Sequence, residues 1–319
     1  VRGPTTHKRS VKRQANNGGF GYVLIGIAIA VGERLGKNYS NAADIDLAAC
    51  EAAVKRWEEL VKSQPDLEIT ETYPFHDSRA FTAGQYGVKT WGDLFSPRQK
   101  LTLHTLGEIL NDYRKKLEDD GFDESLIRAT VSVLALTVSN CVHYSTNMST
   151  WLAEHMISCF ITGNAIAMRW DWAESNLLVD NYVGGLDFSI KQCDQALASL
   201  LSLGEKEAAV IRANASALPL PDDSADLFFT DPPYYDVVPY GDLSDVCLVW
   251  LNRYVGDLFP DFLTAGLSPK DEQILVNPYA EVGGRVNQSP EYYQRQMTKA
   301  FGEGRRILKP DGIGCIVFA

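Results

Sequence analysis

The chain has no C-x-x-C pair, no histidines at metal-ligand spacing and no G-x-G turn following a strand. Nor does any uninterrupted apolar run approach the roughly 18 residues of a membrane span, the longest, Val23 to Val31, being strand-sized. The six cysteines (Cys50, Cys141, Cys159, Cys193, Cys247, Cys315) are scattered, mostly in apolar contexts. That pattern argues for reduced thiols in a cytoplasmic protein rather than a disulfide scaffold or zinc site. The five histidines (His7, His76, His104, His143, His155) form no ligand set either, so no metal is expected among these residues and no membrane association. Basic charge is also short: 30 Lys and Arg against 41 Asp and Glu give a net charge of −11. A surface that is basic throughout is excluded, so any nucleic-acid contact must be local.

What is present is a chain of 319 residues, 45% hydrophobic and 22% charged, long enough for a sizeable core and about two domains. It begins at Val1 without an initiator Met and ends at Ala319 inside an apolar run, which reads as a piece of a longer chain cut at both ends. Arg2, Lys8, Arg9, Lys12 and Arg13 form a basic cluster that could touch phosphate. With Asn16-Asn17-Gly18-Gly19 beside it, residues 1–20 read as a basic, disordered tail.

The informative stretch is Leu227-Phe228-Phe229-Thr230-Asp231-Pro232-Pro233-Tyr234-Tyr235-Asp236. A short apolar run ending abruptly in an acid, two prolines and two aromatics predicts a buried parallel strand that delivers polar groups from its carboxyl end into a crevice. Pro232 and Pro233 fix two successive φ angles and supply no N–H, so neither pairing nor a helix continues there. Such a corner suits methylation of an exocyclic amine on a base. The amine lone pair is delocalised into the ring, and acceptors that hold its hydrogens return it to nitrogen. Asp231 and the Pro232 carbonyl are the candidate acceptors. A duplex base must be flipped out to reach them and stacked on an aromatic face, with Tyr234 the candidate and Tyr235 beside it as a further base contact. The plainer alternative is that Asp231 caps a turn while Tyr234 fills core.

Around this stretch the chain divides into a mainly helical region, residues 21–204, and a second half, residues 205–319, in which strand and helix alternate as in a doubly wound α/β sheet. The spacing predicts a strand over Gly21 to Val31, a polar connection at Asn38 to Asn41, a helix over Asp44 to Gln64 and a long irregular connection from Pro65 to Gly87. Ser96 as N-cap with Pro97 at the first helical position starts a helix running to about Glu118. Arg98 and Gln99 in that first turn could reach a phosphate or a base, or simply face solvent. Asp123 to Ser145 reads as a buried helix, Thr150 to Phe160 as a further short one, and Asp187 to Leu203 as another. Arg169-Trp170-Asp171-Trp172 reads as a pocket wall for a flipped base or as packing under a loop. In the second half a strand at Ala208 to Ile211, the strand before Asp231, helices at Tyr240 to Tyr254 and Ser289 to Ile307, a turn at Lys309-Pro310-Asp311-Gly312 and a strand from Ile313 are expected.

The segment Leu218 to Leu251, LPLPDDSADLFFTDPPYYDVVPYGDLSDVCLVWL, resembles the amino-methyltransferase branch of the S-adenosylmethionine-dependent methyltransferases. More narrowly it resembles the large adenine-specific DNA methylases that carry an associated domain of unknown function and often a zinc ribbon. Three further stretches agree in order: Tyr86-Gly87 with Thr90-Trp91-Gly92-Asp93-Leu94-Phe95 and Arg98-Gln99; Asn277-Pro278 with Gly283-Gly284; and Arg305-Arg306-Ile307-Leu308-Lys309-Pro310-Asp311-Gly312. The resemblance implies a Rossmann-like methyltransferase sheet, incomplete here, with a helical insertion. It implies S-adenosyl-L-methionine as cofactor, DNA as partner and transfer of methyl to adenine N6, with Asp231, Pro232, Pro233 and Tyr234 as the catalytic turn. Asn214 and Asp231 match positions that hold the cofactor, though a polar residue closing a strand also has a structural reading. Trp91, Arg98, Trp170 and Trp172 are the insertion's candidates for nucleic-acid contact. The family's glycine-rich methionine-binding loop is missing and would precede Val1, so these residues alone are expected to be inactive. A tRNA guanine-N2 methyltransferase is the alternative enzyme, and a non-catalytic subunit of a DNA-modification or phage-defence complex the alternative of another class.

Overall fold

The structure, a computed structural model, describes residues 8–17, 21–31, 36–152, 156–158, 161–162, 164–179, 182–202, 208–263, 266–279 and 288–317. It is a mixed α/β protein, about 51% helix with small sheets. The chain forms two compact units, one of residues 1–202 with 243–268, the other of residues 203–242 with 269–319. Arg2, Gly18, Gly19, Gly283 and Gly284, with His7, His155 and Cys159, lie outside the described residues.

The first unit is built on helices. Helix α1 (Lys8–Asn16) occupies part of what reads as a disordered tail. Its Ala15 is buried and Lys12 reaches across to Gln85 and the Tyr86 ring, so a basic sequence is ordered by one apolar contact and one cation–π contact. Strand β1 (Gly26–Val31) pairs antiparallel with β2 (Gly36–Asn41), so Asn38 to Asn41, expected as a connection, is a ladder partner. Helix α2 (Asp44–Ser63) packs on α3 (Pro97–Asp119), α3 on α4 (Glu124–Val142), and α4 on α5 (Leu186–Leu201). α3 starts as its sequence requires: Ser96 Oγ accepts from Gln99 N–H at 3.2 Å while Gln99 Oε1 accepts from Ser96 N–H at 2.8 Å. α4 is long and apolar enough to cross a membrane by length and composition alone; here Ile127, Val131, Ala135 and Val142 bury one face while Leu126 and Leu136 stay exposed.

Thr150 to Phe160, expected as a helix, instead contains β3 (Thr150–Leu152) and β4 (Met156–Ser158), which pair antiparallel with Trp151 opposite Ile157. β-Branched and aromatic side chains facing across a short ribbon outweigh a weak helical period. A smaller ribbon joins β5 (Ile161–Thr162) to β6 (Ala165–Ile166). Under the helices the Tyr73, Phe81 and Trp91 rings meet edge to face, with centroids 5.0 to 6.3 Å apart. Helix α6 (Tyr240–Val255) contributes Val246, Val249 and Trp250 to this unit's core, and the short α7 (Pro260–Leu263) follows it. Gly92 has a packing reason, since a Cβ there would stand 2.3 Å from the Ile69 carbonyl oxygen.

The second unit holds the parallel pair, β7 (Ala225–Thr230) with β8 (Leu308–Ile316), and α8 (Pro290–Ile307), which packs on both strands. Phe228 lies against Gly304 of α8, where a Cβ would come within 2.5 Å of the ring. Residues Leu227 and Phe229, two apart and so on the opposite face, remain exposed, as do Ile313 and Ile316 of β8. The Lys309 to Gly312 turn is accommodated as an irregularity inside β8, where the register moves from Ala225–Leu308 to Leu227–Ile313. Ala208 to Ile211, expected as a strand, has no regular structure, and Val210 is 95% exposed: among the described residues no strand pairs with it. Among the described residues the expected doubly wound sheet is represented by this one parallel pair.

Arg306 ties the segment before β7 to α8. It binds the carbonyls of Leu218 and Leu220, the Asp222 carboxylate and both oxygens of Glu303, at 2.6 to 3.0 Å. Arg306 and the Leu218 N–H hold Glu303 down at about 2. A carboxylate whose folded value is depressed stabilises above its unfolded value and loses that contribution as pH falls through the folded one. The stability difference between wild type and Glu303→Gln should therefore be present at pH 6 and shrink from about pH 4.5 towards 2, as read by urea denaturation across pH. In the helical unit Ser96→Ala should cost about 1 kcal/mol through loss of the reciprocal cap, measurable by the same denaturation.

Candidate active site

The apolar run of β7 ends at Thr230, whose carbonyl accepts from Val317 N–H at 2.9 Å as the last rung beside β8. The next two peptide units past Asp231 belong to prolines and carry no N–H, so the ladder stops there. The chain then turns tightly: Pro233 O accepts from Tyr235 N–H at 3.1 Å and Tyr234 O from Val237 N–H at 3.0 Å. Tyr235 adopts φ +45°, in the left-handed region that costs a non-glycine residue roughly 1–2 kcal/mol. Three contacts hold it there. Its carbonyl accepts from Val276 N–H at 3.0 Å, its ring meets Tyr293 edge-on at 5.3 Å, and Tyr293 Oη donates to Pro233 O at 2.8 Å.

This corner leaves two acceptors without a donor among the described residues, one on exposed Asp231 and one on buried Pro232. Asp231 is exposed, and no donor among the described residues reaches the Pro232 carbonyl. Tyr234, half-buried, donates its hydroxyl to Asp231 Oδ1 at 2.6 Å, which orients the carboxylate and leaves Oδ2 for another donor. The Asp231 carboxylate holds the Tyr234 hydroxyl above its usual value. From sequence Tyr234 is a stacking face or a core filler within the implied catalytic turn; the geometry adds a hydroxyl that aims the acid. Tyr293 and Val276, which fix the corner, were not singled out by sequence. The only signals were the second Tyr-Tyr pair at Tyr292-Tyr293 and the nearness of Val276 to Asn277-Pro278.

The other candidates are placed differently. Asn214 closes no strand: its Oδ1 accepts from Ser216 N–H and Oγ at 2.9 and 2.8 Å, and its Nδ2 donates to Glu272 at 3.3 Å. It is a turn-forming side chain already engaged. Trp91 is fully buried between Tyr73 and Phe81, so it has no face to offer a nucleic acid. Arg98 makes a bidentate pair with Glu174 at 2.8 and 2.6 Å, which ties it to the tryptophan-bearing segment rather than leaving it to solvent. Trp172 packs edge-on to Tyr22 at 5.7 Å and Trp170 to Tyr86 at 5.2 Å, and only Trp170 keeps a largely exposed ring. These four belong to the helical unit, whereas Asp231 to Tyr235 form one cluster in the other. No family model, curated protein or solved structure matches the chain.

The described residues do not by themselves make a seat for a nucleoside cofactor. The one polar side chain expected to hold its adenine end is spent on its own turn, and no glycine-rich loop stands among them. What the corner offers is a carboxylate oxygen and a carbonyl oxygen at the end of a parallel strand, an arrangement that accepts two hydrogens from one amine. Replacing Asp231 by Asn should let the Tyr234 hydroxyl ionise at lower pH, because it then sits beside a neutral amide. Ultraviolet difference titration of wild type, Asp231→Asn and Tyr234→Phe isolates that one tyrosine. The stabilisation it gives, with a folded value raised above the unfolded one, is complete below about pH 10 and disappears as pH rises through the folded value.

Proposed function

We propose that the chain carries the acceptor-binding corner of an S-adenosyl-L-methionine-dependent amino-methyltransferase acting on the N6 amine of adenine in DNA, on a Rossmann-like sheet. The observation that carries the reading is the Asp-Pro-Pro-Tyr corner at the carboxyl end of β7, where neither Asp231 Oδ2 nor the Pro232 carbonyl has a donor among the described residues. An adenine N6 amine has two hydrogens and a lone pair shared with the ring. Hydrogen bonds to both hydrogens draw the pair back onto nitrogen, and the strained Tyr235 beside them is the kind of backbone outlier that clusters at working sites. The exposed Leu227 and Phe229 also support a further layer over that face, since parallel sheets are ordinarily covered by helices on both faces.

Within this reading each residue has a distinct task. Asp231 accepts one amine hydrogen, the Pro232 carbonyl the other, and the Tyr234 hydroxyl keeps the carboxylate aimed. Pro232 and Pro233 hold the acceptors rigid, so little reorganisation is needed when the amine arrives. Trp170 is the nucleic-acid candidate with an exposed ring, and partner subunits of a modification or defence system belong to the same proposal.

The test is methyl transfer from labelled S-adenosyl-L-methionine by the full-length protein to duplex DNA and, separately, to tRNA. N6-methyladenine in DNA is the expected product, and Asp231→Ala should lower kcat by about a hundredfold or more, the usual loss when one preorganised polar group is removed from a reacting centre. Equal turnover by Asp231→Ala would remove the assigned role. Methylated guanine in tRNA would transfer the activity to RNA. Absence of S-adenosyl-L-methionine binding would favour a non-catalytic subunit.

A further inference from the structure

Away from the corner, in the helical unit, the turn between α3 and α4 and the segment after α6 border an open cleft of about 460 Å³. That volume lies within the ~300–1,000 Å³ usual for small-molecule sites. Its apolar part is the buried Ile127 with Leu258 and the Phe122 ring, the last 49% exposed. Five charged side chains complete the lining: Arg114, Glu118, Glu124, Arg128 and Asp257.

Three of these five charges are engaged with one another. Arg114 Nη1 donates to Asp257 Oδ2 at 2.6 Å and its Nε to Glu118 Oε1 at 3.0 Å. Glu124 and Arg128 remain, both exposed, so a molecule entering the cleft reaches them. They stand four residues apart on α4 with the acid first, the spacing and order at which an ion pair ordinarily forms. Yet neither side chain has an ion pair or hydrogen bond among the described residues. Arg128 is drawn aside by the Phe259 ring, its guanidinium carbon 4.5 Å from the ring centroid. A guanidinium laid on an aromatic face keeps its N–H fork for a carboxylate.

We infer that this cleft binds a free α-amino acid with an apolar or aromatic side chain: its carboxylate on Arg128, its ammonium on Glu124 and its side chain against Phe122, Ile127 and Leu258. Charge and spacing select this class together. The two unengaged charges are one of each sign, so a ligand with a single charge leaves one of them unmatched. Residues four apart on a helix have Cβ atoms about 5–6 Å from each other, a gap that one carbon bearing both a carboxylate and an ammonium spans. Three carboxylates against two guanidiniums around the cleft disfavour a phosphate-rich ligand. No residue of the Asp231 corner takes part, so this site is independent of the amine-methylation reading.

The test measures the dissociation constants of L-phenylalanine, N-acetyl-L-phenylalanine and L-phenylalaninamide on the full-length protein by ligand-observed NMR. The free amino acid should bind saturably and about tenfold more tightly than either blocked analogue, each of which lacks one charge-assisted contact. Arg128→Gln should erase the advantage over the amide and keep that over the acetyl compound, and Glu124→Gln should do the reverse. A purely structural role for either residue would not separate the two preferences. Should a variant fail to fold, the three probes on the unmodified protein decide the matter. Equal binding of all three would overturn the inference in favour of a merely apolar cleft. Absence of saturable binding by any of them would overturn it in favour of a solvated surface.

Discussion

A backbone that cannot donate is the constraint on which the rest of this structure's chemistry depends. Two prolines in succession end the pairing of β7 and leave Asp231 and the Pro232 carbonyl past the last rung, without main-chain partners of their own. Rigidity there comes from outside the turn. Tyr293 grips the Pro233 carbonyl, Val276 grips the carbonyl of Tyr235, and the two tyrosine rings meet edge to face. Each hydrogen bond is worth about 1 kcal/mol, which is the right order to offset the left-handed backbone of Tyr235. The left-handed backbone of Tyr235 thus lies next to the two acceptors.

The helical unit is stabilised by different means. Its core is a set of large aromatic rings packed edge to face, and Arg253, one of its cross-linking cations, is divided between a carboxylate and two carbonyls. That division leaves Arg253 Nε without a partner among the described residues, and a buried donor without one costs about 1–3 kcal/mol.

How far the sequence anticipates this depends on whether the deciding interaction is local. The Ser96-Pro97 cap, α2, α4 and α8 are legible because capping residues and helical spacing lie within one turn of one another. The Asp-Pro-Pro-Tyr corner is legible because proline acts on its own backbone. Failures fall where a partner on another segment decides: β3 and β4 form because Trp151 finds Ile157, Lys8–Asn16 is ordered because Gln85 and Tyr86 receive it, and Ala208 to Ile211 is irregular because no strand among the described residues pairs with it. Trp91 illustrates the same limit. Nothing in its neighbours tells a core indole from a stacking platform, and only Tyr73 and Phe81 decide it.

The central claim is that Asp231 and the Pro232 carbonyl together receive one base amine. A crystal structure of the full-length protein with adenosine or a short adenine-containing single strand tests it most directly. The account predicts N6 within about 2.7–3.2 Å of both Asp231 Oδ2 and Pro232 O, with Tyr234 still bonded to Oδ1. Adenine bound with its amine touching neither oxygen would contradict it.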